Sequence, residues 1–72
     1  MPNLEILMGQ RLRAYRERAS MKVVEVARET NISDFVLALY EHGHRRIAPD
    51  DLLAICDYFS VSIEDFMRGV LA

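Results

Sequence analysis

The sequence predicts an all-α fold, a compact bundle of five short helices, and three observations carry that prediction. Apolar residues recur at helical rather than alternating spacing, with no strand pattern anywhere. Residues suited to capping a helix stand in front of most of the apolar stripes. Glycine and proline are scarce, three and two in 72 residues, with Gly43 and Pro49 at predicted helix ends and no linker rich in either. A chain this short makes one domain, spanning residues 1–72, and buries only about 60% of its unfolded surface.

The first helix is expected from Asn3 or Leu4 to about Ala19. Asn3 serves as N-cap, and Leu4, Leu7, Met8, Leu12 and Tyr15 form the stripe. Gln10, Arg13 and Glu17 occupy the opposite face, with Arg16 beside the stripe. The second helix is expected over Lys22 to Thr30, with Ser20 as its cap and Val23, Val26 and Ala27 facing inward. Asn31 tolerates the left-handed backbone that a tight turn demands, and Ser33 caps a third helix that runs to His42 and stops at Gly43. After the basic loop His44-Arg45-Arg46-Ile47, Pro49 fits the first position of a fourth helix, and Asp50 and Asp51 suit its positive end. That helix ends near Phe59. Ser62-Ile63-Glu64-Asp65 resembles a capping box opening a fifth, expected through Met67 and on toward Val70.

Two short helices joined by a sharp turn, from Met21 to Gly43, have the spacing of a helix-turn-helix, the motif that places its second helix in the major groove of DNA. The net charge of −2 is unevenly spread: residues 1–48 carry +2 and residues 49–72 carry −4. Cys56, the one cysteine, excludes an internal disulfide and falls on the apolar face of helix four as a buried structural thiol. No run is long enough for a membrane span or a signal peptide, so a soluble cytoplasmic protein is expected. His42-Gly43-His44 lacks the i,i+4 placement of a helical metal pair. No nucleophile–base arrangement and no phosphate-binding glycine loop is present, so neither an enzyme nor a cofactor is expected.

The chain resembles the lambda repressor/Cro-like helix-turn-helix family of Xre-type regulators. Gly9-Gln10-Arg11-Leu12-Arg13 with Arg16, Val26-Ala27, Ile32-Ser33 and Leu37-x-x-Tyr40-Glu41-x-Gly43 carry the resemblance, continued by Leu52-Leu53-Ala54-Ile55 and by Phe59 to Phe66. It implies a structural ion pair of Arg16 with Glu41 that locks helix three. It also implies double-stranded DNA as partner, with Lys22, His44, Arg45 and Arg46 on the phosphate backbone and Asp34, Phe35, Leu39 and His42 facing the bases. The family's base readers are typically Gln, Asn, Arg or Ser, and its amide near the start of helix two is replaced by Val23. Two explanations of this apolar reading helix stay open. Specificity comes from DNA shape, or Phe35, Val36 and Leu39, joined by Val24, bind a protein partner. Finally, Phe66, Met67, Val70 and Leu71 are expected to form the interface of a homodimer, residues 66–72 acting as its tail.

Overall fold

The computed structural model describes residues 3–70. Helix α1 runs Leu4–Arg18, α2 Val23–Thr30, α3 Asp34–Glu41, α4 Pro49–Tyr58 and α5 Ile63–Phe66. No strand occurs among the described residues, and no helix there is long and apolar enough to cross a membrane.

Local chemistry sets the helix starts. Asn3 Oδ1 accepts from the Ile6 N–H at 2.9 Å, Ser33 Oγ from Val36 at 3.3 Å and Ser62 Oγ from Asp65 at 2.9 Å. Pro49 opens α4 at a position that needs no N–H. Helix two departs from expectation: Lys22 is its N-cap residue, and the Glu25 carboxylate reaches back to accept the Lys22 N–H at 2.7 Å. Ser20, expected to cap α2, instead closes α1. It takes a left-handed φ of 56°, with its own N–H on Glu17 O and the Met21 N–H on Arg16 O. Ser60 ends α4 in the same way, and Gly43 ends the turn after α3.

Apolar side chains from every element meet in one core: Met8 and Leu12 of α1, Val26 of α2, Leu37 and Tyr40 of α3, Ile55 and Cys56 of α4, Phe66 of α5, with Ile32 and Ile47 from the connections. Burial pushes the Cys56 thiol up, away from the reactive thiolate. Tyr40 is buried to its ring, while its hydroxyl donates to Asp51 and accepts from the Ala48 N–H at 3.3 Å, tying α3 to the start of α4. Burial first, then the Asp51 carboxylate, push that phenol up.

Helix α5 stops at Phe66, short of the expected Met67 or Val70. Arg11 explains the stop. Its guanidinium donates to Phe66 O at 2.8 Å, Asp65 O at 3.3 Å and Arg68 O at 2.6 Å, gathering carbonyls that a longer helix would have used internally. Gly69 then turns the chain with φ 81°.

Candidate nucleic-acid interface

Helix α1 makes its most extensive contact with α3, and that contact sets the angle at which the outer face of α3 meets solvent. Gly9 permits it. A β-carbon at Gly9 would lie 2.1 Å from Tyr40 O and 3.0 Å from Glu41 O, so the two backbones approach closer than any side chain allows. Two turns farther along α1, Arg16 grips the end of α3. Its Nε donates to Glu41 Oε2 at 2.6 Å and its Nη2 to Glu41 Oε1 at 2.9 Å, while Nη1 donates to Met21 O at 2.9 Å. The side chains are 15% and 6% exposed. Glu41 raises the Arg16 pKa further above its already high value, so the guanidinium keeps its charge and its donors.

The outer face of α3 carries Asp34, Phe35, Ala38, Leu39 and His42. Phe35 is 70% exposed, Asp34 and His42 are exposed, and Leu39 and Ala38 are half-buried. Asp34 Oδ1 accepts from the Phe35 N–H at 2.8 Å, and His42 Nδ1 lies 2.8 Å from Ala38 O. Val36 does not share this face. It lies one turn before Tyr40 and packs against the core, which corrects the expected patch of Phe35, Val36 and Leu39. The exposed apolar surface is built across two helices instead: Val23, Val24, Asp34, Phe35 and Ala38 line a shallow open groove between the starts of α2 and α3. Leu39 does not line it.

Lys22 is exposed and immediately precedes Val23. His44, Arg45 and Arg46 are exposed in the loop that Gly43 opens. The glycine φ of 72° reverses the chain there, and a β-carbon would stand 2.7 Å from Ile6 Cγ1. The His42 and His44 rings lie parallel with centroids 6.0 Å apart. Among the described residues Lys22 and Arg45 have no ion-pair partner, whereas Arg46 Nε donates to Glu5 Oε1 at 2.9 Å. The Glu5 backbone N–H, then Arg46, hold the Glu5 carboxyl below the usual carboxylate range. Nothing in the sequence pointed to this pair, whose members lie 41 positions apart on either side of the whole helix-turn-helix.

The terminal segment also differs from expectation. Phe66 is fully buried, its ring stacked on Tyr15 at 5.6 Å, and therefore belongs to its own core rather than to a partner's surface. Met67 and Val70 are half-buried against that core, and Leu71 lies outside the described residues. No group of three or more His, Cys, Asp or Glu among the described residues is placed to hold a metal ion.

Known proteins share this geometry. Two crystal structures of the clp gene regulator ClgR from Corynebacterium glutamicum have the same fold. One has TM-score 0.88 and 22% identity, covering 99% of this chain and 92% of that one. The other has TM-score 0.89 and 23% identity, covering 97% and 74%. No curated protein sequence matches the chain. The family model described as a helix-turn-helix domain matches residues 7–66, and the chain belongs to that family.

Proposed function

We propose that the protein is a DNA-binding transcription regulator that sets the start of α3 in the major groove and carries no enzymatic activity. One observation carries the reading most: Arg16 and Gly9 hold α3 against α1 with its outer face bare, while Lys22 and Arg45 next to the motif have no internal charge partner among the described residues. In this reading Lys22, His44, Arg45 and Arg46 bind phosphates, and Asp34, Phe35, Leu39 and His42 face the bases. Two copies bind two half-sites about 34 Å apart. Met67, Val70 and Leu71 of the terminal segment contribute to their contact, with Phe66 withheld in the core.

Selection of random duplexes by the purified protein at fixed salt tests all of this. The expected result is a palindromic motif whose half-sites are about one helical turn apart. An enriched single half-site would remove the dimer, and no enrichment would remove specific regulation. Replacing Arg45 and Arg46 with Ala should weaken binding to every sequence and flatten log K against log salt by about one per lost phosphate contact.

Glu5→Gln should act in the opposite direction. The Glu5 carboxylate competes with phosphate for Arg46, so its removal is expected to tighten DNA binding by a few-fold and steepen the salt slope by up to about one. Acid should do the same to the wild-type protein. Because the folded pKa of Glu5 is depressed, the pair persists above the usual carboxylate range and is lost only as pH falls through that lower value. Filter binding across pH with both proteins checks this, and equal affinities would contradict it.

A second reading rests on the 70% exposure of Phe35, beside Val24 at 49%: the same face docks a protein. It prevails if Phe35→Ala abolishes capture of a partner while DNA binding is undetectable at low salt.

A further inference from the structure

We propose that the groove between the starts of α2 and α3 receives 5-methylcytosine of duplex DNA, an inference that rests on the DNA-binding function proposed for the same face. The groove has an unusual inventory for a base-reading surface. Val23, Val24, Phe35 and Ala38 supply apolar walls, and Asp34 is the only lining residue with a polar side chain. One oxygen of Asp34 is committed to the Phe35 N–H at 2.8 Å. The other has no hydrogen-bond or ion-pair partner among the described residues, and the residue is solvent-exposed. The lining side chains therefore offer one acceptor, no donor and a bed for a small apolar group.

That inventory discriminates among the base edges of the major groove. Guanine shows two acceptors, which a carboxylate repels. Thymine shows a methyl group that suits the apolar walls, but it places its O4 acceptor next to that methyl, toward Asp34. Adenine shows one donor beside an acceptor and carries no methyl. Cytosine shows the N4 donor that a carboxylate accepts, yet leaves the apolar walls facing a bare C5–H. Only cytosine methylated at C5 presents a donor and a methyl on adjacent ring atoms, the pair that adjacent residues Asp34 and Phe35 match. The arrangement also accounts for an acidic residue on a face that meets phosphates: the carboxylate is tolerated where an amino group satisfies it, with Lys22 and the Arg45 loop supplying the attraction to the backbone.

The size of the preference follows from the surface involved. Moving one methyl from water into apolar contact strengthens binding about fourfold. Opposing a carboxylate to thymine O4 rather than cytosine N4 costs about tenfold or more.

The test uses the full chain and two random-sequence duplex pools, one synthesised with dCTP and one with 5-methyl-dCTP in its place. Duplexes of the selected motif are then titrated by fluorescence anisotropy with cytosine, 5-methylcytosine or thymine at the fixed position. The expected order is 5-methylcytosine tightest, cytosine about fourfold weaker per site and thymine weakest. Phe35→Ala should bring the ratio of methylated to unmethylated affinity to about one. Asp34→Asn should relieve the thymine penalty, because an amide can donate to O4. Circular dichroism confirms that both variants fold. Equal affinity for the three duplexes, or thymine bound best, overturns the inference while leaving DNA binding intact. If neither pool binds at low salt, the DNA-binding function falls and takes this inference with it.

Discussion

Gly9→Ala is expected to destabilise the protein by about 3 kcal/mol or more, lowering the melting temperature by at least about 12 °C. Two effects oppose each other at this position. Alanine is the better helix former and would contribute up to about 1 kcal/mol in an exposed helix interior. At Gly9 its β-carbon would stand 2.1 Å from Tyr40 O, well inside van der Waals contact. The obstruction is backbone, which cannot swing aside as a side chain can, so α1 and α3 must separate to make room. Separation also loosens Leu12, Leu37 and Tyr40, which are almost fully buried between these and the neighbouring elements. The clash therefore outweighs the propensity. Thermal and urea denaturation followed by circular dichroism measure the loss, and a cost below about 1 kcal/mol would show that the helices yield easily at this point.

Arg16→Ala is expected to cost about 3 kcal/mol. Little of this is attraction lost between two charges in water, for which exposed pairs give about 0–1 kcal/mol. Most comes from what remains: a Glu41 carboxylate only 6% exposed with neither of its guanidinium donors, and a Met21 carbonyl without its Nη1 partner. Removing both charges should therefore hurt less than the two single losses combined. The double variant Arg16→Ala with Glu41→Ala is expected to recover a substantial part of the loss, read as a coupling energy from a double-mutant cycle. Strict additivity of the two single variants would sink the interpretation. Arg16→Lys should fall between, since an ammonium cannot fork onto two carboxylate oxygens while also reaching Met21.

The five helices were legible because their signals are local. Asn3, Ser33, Ser62 and Pro49 act within a few residues of where they stand, and the apolar stripes repeat within each helix. Ser20 misled because serine is a common N-cap, whereas the short connection after α1 needs a left-handed residue and places Ser20 there despite its β-carbon. The candidate interface was legible only in outline. Val36 and Phe35 are neighbours in sequence and both apolar, and only the rotation of α3 against the core decides that one is covered and the other bare. The partnership of Arg46 with Glu5 joins residues 41 positions apart, and the cradle of carbonyls around Arg11 reaches 54 positions and farther. No pattern within a single helix could announce them. Phe66 illustrates the same gap: an aromatic near a chain end reads as surface until Tyr15 is found stacked on it.

The pose of α3 is fixed from behind by α1 at two points, Gly9 on the backbone and Arg16 on the terminal glutamate. A genetic consequence follows. Variants with altered operator preference need not change a residue that meets DNA, and suppressors of a defective reading helix should map to α1. A screen confined to codons 22–46 would miss them.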